Sequence, residues 1–312
     1  MSVIIFGEAM LEYHSSSPSG GLRYGGDTLN TAIHLARMGH DVAYVTAVGS
    51  DPISDALVAA WAAEGIDTRF VLRHPDRNPG IYAIHVDDTG ERSFLYWRDQ
   101  SAAREMFELP GMADALAHAA NCDLAYYSLI TLAILPPDAR EQLLATARAM
   151  RERGGQVAYD SNFRLRLWPS LDAARQASQE AISCASIGLP TNSDECEIAG
   201  SRLTEQEIAR SWLDLGCPEV AVKAGDNGCL LARVGADHQT IPVKRLIVVD
   251  ASGAGDAFNA GYLSARIDGL DPVSATARGQ SLAGWVILRH GAVPPVDDDL
   301  RQLLADFRNQ GC

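Results

Sequence analysis

Short runs of β-branched and other apolar residues alternate along this chain with stretches whose apolar positions recur every three or four residues. Residues 3–6 form the first run and predict a strand. Leu29, Ala32, Ile33 and Ala36 follow at helical spacing, and Gly39 ends that helix. Residues 42–48 predict the next strand. Asp51 then caps a helix that begins at Pro52 and stops at Gly65. Further strands are expected at 124–128, 156–160, 186–189 and 219–223, with helices between them, among them 137–153 and 171–184. Beyond Leu231 the pattern predicts short β segments at 239–243 and 246–249, then helices to the end. This alternation predicts an α/β fold, a doubly wound, mostly parallel sheet with helices on both faces.

One stretch departs from the alternation. Between residues 70 and 97 strands follow one another without helices. Runs at 80–87 and 92–97 flank the turn sequence Asp87-Asp88-Thr89-Gly90 and predict a hairpin. Residues 11–24 also read as extended, with a Ser/Pro/Gly turn. Segments 11–24 and about 70–99 together predict a small separate sheet. It is either a plain surface hairpin or a lid over the carboxyl ends of the strands, where doubly wound folds bind ligands. Residues 1–312 otherwise read as a single domain, with no internal repeat or linker.

Composition acts mainly by exclusion. The chain has 312 residues, 47% of them hydrophobic, enough for a large core. Its 26 Lys and Arg stand against 40 Asp and Glu, a net charge of −14. With no basic block, neither nucleic acid nor an anionic membrane is an expected partner. An anionic ligand must then be held by local Arg, Lys and backbone N–H groups. The six cysteines have no CxxC spacing and are expected as free thiols in a reducing compartment. No signal peptide or membrane-length apolar run is read, so the expected location is cytoplasmic.

The strongest chemical signal is Val249-Asp250-Ala251-Ser252-Gly253-Ala254-Gly255-Asp256-Ala257-Phe258. A β-branched run leads into a glycine-rich turn, and a helix follows. N–H groups at a helix start carry partial positive charge and suit an anion. Asp256, in the first helical turn, stands beside that anion position and is able to accept a proton from an attacking hydroxyl. On a bare GxGD pattern a capped helix would be the simpler reading. Tyr24-Gly25-Gly26-Asp27-Thr28-Leu29-Asn30 likewise opens a helix with two glycines and with polar Asp27 and Asn30 on the first turn, either a cap or a surface for a polyol.

The longer strings resemble a known family. Asp250–Phe258 resembles the second signature of the PfkB (ribokinase-like) carbohydrate kinases, DTxGAGD, with Ala251 in place of the usual Thr. The resemblance implies that Gly253, Ala254 and Gly255 form an anion hole and that Asp256 is the catalytic base. It implies that Asp250 helps bind a monovalent cation, K⁺, as in some members. The stretch from Tyr24 resembles the sugar-binding signature, which implies substrate contacts at Gly25, Gly26, Asp27 and Asn30. Asn192-Ser193-Asp194-Glu195 resembles the Asn-x-x-Glu motif, implying Mg²⁺ and phosphate at Asn192 and Glu195. The run from Lys223 to Gly228 resembles the nucleotide loop, which implies Lys223, Gly225 and Gly228 near ATP. All four motifs occur in the family's order across essentially the whole chain.

Three strings, GGDTLNTA, YWRDQSAAR and DSNFRLRLW, are similar to those of kinases acting on 2-keto-3-deoxygluconate. A sugar acid carries a planar carboxylate that suits an Arg fork. Arg98 and Arg164 are the candidates, with Tyr82 and Tyr96 as lid hydroxyls. Asn162 and Arg164 also stand where a nucleotide contact is implied. The implied reaction moves the γ-phosphoryl of ATP to the terminal hydroxyl, and the lid sheet is also a candidate surface for pairing two chains. A fructose, other ketose or nucleoside kinase is the alternative within the family. A non-catalytic sugar sensor is the alternative outside catalysis, and a nicotinamide dehydrogenase fails for lack of GxGxxG after the first strand.

Overall fold

Val3, Ile4, Ile5 and Phe6 are all buried, because their strand lies in mid-sheet with helices against both faces. The computed structural model describes residues 1–14, 23–86 and 92–310. Its strands are β1 (Ser2–Phe6), β2 (Met10–His14), β3 (Arg23–Gly25), β4 (Asp41–Gly49), β5 (Val71–His74), β6 (Gly80–Val86) and β7 (Arg92–Trp97). They continue as β8 (Leu124–Ser128), β9 (Gln156–Asp160), β10 (Ile187–Gly188), β11 (Glu219–Lys223), β12 (Cys229–Arg233) and β13 (Gln239–Ile241). Nine of them form one sheet in the order β13-β12-β11-β10-β9-β8-β1-β4-β5. It is parallel from β5 through β11, and β12 and β13 continue it antiparallel. One core cluster, including Phe6, Tyr127, Tyr159 and Trp212, packs one face. The other face carries Ile5, Tyr44, Tyr126 and the helix Ala254–Ile267.

The remaining four strands form a separate sheet, β3-β2-β6-β7. Tyr82 of β6 pairs with Glu12 of β2 on one side and Tyr96 of β7 on the other, so these three side chains share a face. The expected small sheet is therefore present, with one boundary corrected. Val71–His74 pairs with Thr46–Gly49 at the edge of the large sheet, so the stretch from 70 contributes to the lid only from Gly80. Both expected lid turns lie outside the described residues.

Two other expectations are corrected. Residues 246–249 form no strand. The N–H groups of Val249 and Asp250 donate instead to Ile287 O, at 2.8 and 3.2 Å. Their alternation still has a use, because Leu246 and Val248 line a cleft while Ile247 is 90% exposed. The strand at 186–189 shortens to Ile187–Gly188, although Ser186 and Leu189 keep bonds to β9 at Val157 O and Tyr159 O. Cys122, Cys184, Cys196, Cys217 and Cys229 are free thiols. Among the described residues no helix is long and apolar enough to cross a membrane.

Candidate active site

The carboxyl ends of the parallel strands bring the candidate residues together, as the fold class requires. β1 leads to Glu8, β9 ends at Asp160, β10 leads to Thr191 and β11 ends at Lys223. Two clefts open here. The first, about 610 Å³, lies beneath the lid sheet. The second, about 630 Å³, runs along the helices Ala254–Ile267 and Pro272–Ile287 and has a largely apolar wall. They share Thr191, Lys223, Ala251, Ala254 and Gly255, so the start of the helix Ala254–Ile267 is the partition between them.

Gly253 caps that helix in the left-handed region, at φ 72°, and a Cβ there would lie 2.5 Å from Ala292 Cβ. Only glycine fits both constraints. The Ala254 N–H is taken by Ala251 O at 3.3 Å, which leaves those of Gly255 and Asp256, without intrahelical partners, at the partition. Asp256 follows at once. Burial, and next the charge of Asp27, push its carboxyl up to about 8, and a hydrogen bond from Asn30 opposes the shift. Burial likewise raises Asp27, against a hydrogen bond from Ser128.

The first cleft collects most of the expected substrate residues: Gly26, Asp27, Asn30, Tyr82, Tyr96, Arg98 and Arg164, with Asp256 at its inner end. Gly25 stands behind Tyr82, where a Cβ would meet the phenol oxygen at 2.3 Å. Arg98 is only 4% exposed and is ion-paired with the fully buried Glu8. Arg164 is exposed, and its Nη1 donates to Phe163 O at 2.5 Å. Asn162 also faces this cleft and donates to Asp27 Oδ2 at 3.2 Å, which places it with the substrate residues and away from the second cleft.

Gly225 and Gly228 line the second cleft, and Lys223 lines both. Lys223 Nζ donates to Asp160 Oδ1 at 3.2 Å and to Asn259 Oδ1 at 2.9 Å. Asn259 in turn donates to Asp160 Oδ2 and to the Tyr126 hydroxyl. Asn192 and Glu195 line neither cleft. The Asn192 amide donates to Leu203 O at 3.1 Å, and burial pushes Glu195 up to about 7. Within that motif Asp194 faces the first cleft, its carboxyl raised by burial and by Asp160. Asp250 lies behind the partition, accepting the N–H groups of Ser252 and Gly291, each at 2.9 Å. Among the described residues no cluster of three His, Cys, Asp or Glu offers a ready metal cage.

The structure adds residues that motif reading missed. Glu12 lines the first cleft and accepts the Tyr82 hydroxyl proton. Arg166 lies 3.2 Å over the Tyr96 ring, and Tyr96 stacks on Tyr82 at 5.8 Å. Arg166 stood in the string DSNFRLRLW, two places from Arg164, and the choice between them needed the fold. Asp160 opened that same string without being singled out, and Asn259 and Glu8 had no signal beyond being polar next to an apolar run.

The chain resembles known proteins along most of its length. The model of the pfkB family carbohydrate kinases matches residues 3–299. A 2-dehydro-3-deoxygluconokinase of Escherichia coli K12 is 39% identical over 300 residues, covering 94% of this chain and 97% of that protein. One from Dickeya dadantii is 38% identical over 303 residues, covering 95% and 97%. Among solved structures, aminoimidazole riboside kinase from Salmonella enterica, in complex with aminoimidazole riboside and an ATP analog, superposes with a TM-score of 0.80 at 25% identity. The alignment covers 97% of this chain and all of that one. Matched along nearly its whole length, the chain belongs to the pfkB family of carbohydrate kinases.

Proposed function

We propose that this protein transfers the γ-phosphoryl group of ATP to the terminal hydroxyl of 2-dehydro-3-deoxygluconate (2-keto-3-deoxygluconate), giving the 6-phosphate. The observation that carries this reading is the polarity of the first cleft. Its inner end holds a buried carboxyl, Asp256, beside a helix start. Its walls carry three arginines, Arg98, Arg164 and Arg166, in a protein of net charge −14. Among the described residues Arg164 and Arg166 have no carboxylate within ion-pair distance. Such unpaired guanidinium forks suit the carboxylate of a sugar acid, which a neutral ketose lacks. The names of the two bacterial relatives agree.

Asp256 takes the proton of the sugar's terminal hydroxyl as its oxygen attacks the γ-phosphorus, and the bond to the β–γ bridging oxygen breaks. The N–H groups at the helix start and the Lys223 ammonium meet the charge on the transferring group. ATP occupies the second cleft, its base against the apolar wall of Val243, Leu246, Val248 and Ile287 and its phosphates toward Gly225 and Gly255. Asp194 and Asp160 are the carboxylates that would stand near a divalent ion brought with ATP, which would neutralise phosphate charge. Tyr82, whose hydroxyl donates its hydrogen bond to Glu12, presents oxygen lone pairs to sugar hydroxyls.

Purified protein assayed with ATP against 2-dehydro-3-deoxygluconate, its galactonate epimer and fructose tests the reading. Preference for fructose over both acids overturns the substrate assignment. On the outer face of the lid sheet Tyr13, Leu95 and Trp97 are exposed, which supports pairing of two copies across it. A monomer by light scattering at micromolar concentration overturns that part.

A further inference from the structure

Glu8 stands two residues beyond β1, at the carboxyl edge of the large sheet, with a side chain 0% exposed. Its partner Arg98 is the residue after β7, at the end of the lid sheet. Arg98 Nη2 donates to Glu8 Oε2. Gly80, the first residue of β6, makes room for both: a Cβ there would lie 3.0 Å from Arg98 Cβ and 3.0 Å from Glu8 Oε1. The large sheet and two lid strands therefore meet on one buried charge pair.

Packing does not account for this pair. Two charges taken out of water lose hydration that their attraction barely offsets, and apolar residues of similar volume fill such a place at least as well. What the pair does provide is a fixed guanidinium. Arg98 lines the lid-covered cleft, and Glu8 does not. A guanidinium has five N–H donors in a rigid fork. Glu8 Oε2 engages Nη2, and the buried Nε keeps its donor without a partner. The carboxylate also balances the Arg98 charge when no sugar is bound, so the lid end rests on the core without an isolated buried cation. Arg164 and Arg166, which lack an ion-paired carboxylate among the described residues, add further donors to the same cleft.

We propose that Glu8 is a positioning residue for the acidic end of the sugar. Its buried carboxylate holds the Arg98 fork in the orientation that receives the substrate's carboxylate. This rests on the sugar-acid reading above and adds to it a residue that does not touch the substrate.

The test is a kinetic cycle on the full-length enzyme. In Glu8→Gln the KM for 2-dehydro-3-deoxygluconate rises about tenfold, as for one weakened charge-assisted contact. The kcat and the KM for ATP stay within about threefold. In an Arg98→Ala background the same Glu8→Gln change no longer raises the sugar KM, because its route to the substrate is gone. Should Glu8→Gln fold poorly, Glu8→Leu with Arg98→Met removes both charges together, and its sugar KM matches that of Arg98→Met alone. Losses that add in the cycle mean Glu8 acts on packing, and overturn the proposal. A normal sugar KM in Glu8→Gln beside a raised one in Arg98→Ala overturns it while leaving the sugar-acid reading intact. A wild-type enzyme inert on the sugar acid overturns both.

Discussion

The side-chain amide of Asn30 donates to a carboxylate oxygen of Asp256 across 2.8 Å, joining residues 226 positions apart. One sits on the first helix of the chain, the other on the helix that begins the partition between the clefts. Their bond bears on the ionisation of the proposed base. Burial and Asp27 favour the protonated acid, and the Asn30 amide favours the carboxylate.

Asn30→Ala removes the one hydrogen bond that counters burial. The Asp256 carboxyl then moves higher, and the acid limb of kcat/KM shifts toward alkaline pH by about one unit, the scale of one hydrogen bond to a charged group. At pH 7 activity falls by about tenfold and recovers partly at pH 9. The pH–rate profile of purified enzyme checks this, and an unmoved limb removes Asn30 from the tuning of the base.

Asp256→Asn keeps the shape and removes the proton acceptor, so turnover falls by roughly 10²–10⁴-fold while sugar binding survives. The same variant has a stability signature. Asp256 has an ordinary value of 3.8 and a folded value of about 8. Below pH 3.8 both states are protonated and the residue is neutral to folding. As pH rises from there to 8 the folded state holds a proton the unfolded chain has released, so stability is lost progressively, and the full cost remains above 8. Asp256→Asn is therefore more stable than wild type at pH 8–9, on the order of a few kcal/mol, and the advantage shrinks toward pH 4. Thermal melts across that range measure it.

Arg166→Ala and Arg164→Ala each lower kcat/KM for 2-dehydro-3-deoxygluconate by about tenfold to a hundredfold, the worth of a charge-assisted Arg–carboxylate contact. Activity on fructose, measured at high concentration, changes much less. Equal losses on the two sugars mean that these arginines shape the cleft, Arg166 through its contact with Tyr96, without reading the acid group.

Asn259→Leu leaves Lys223 held by Asp160 alone and deprives Asp160 of its amide donor. Turnover falls by about tenfold or more through misplacement of the ammonium, and the sugar KM stays within about threefold. Lys223→Met lowers turnover further, toward the roughly 10²–10³-fold typical of a lost transition-state donor. Single-turnover measurements with saturating ATP separate this from weaker nucleotide binding. A change confined to the KM for ATP would place Lys223 in binding alone.

Much of this was legible in one dimension. The alternation of apolar runs determined the α/β class, since strands buried on both faces must read as continuous apolar segments such as Val3–Phe6. The glycine-rich turn before Asp256 was readable because a left-handed cap pressed against Ala292 tolerates only glycine. The interrupted alternation announced the lid sheet, but its boundary at Val71–His74 depended on which neighbour offered free backbone groups, and that neighbour, β4, is set by the sheet order.

Side-chain pairing was decided by the tertiary structure alone. Nothing local distinguishes Arg98, whose charge is balanced by a glutamate 90 positions earlier, from Arg166, which stacks on a lid tyrosine. Asn192 and Glu195 fit a motif by spacing, yet the turn of their helix points Asp194 to the cleft instead. Sequence records which residues can ionise or donate. Burial and charge from segments distant along the chain decide which of them remain available to a substrate, because both depend on the packing that only folding brings about.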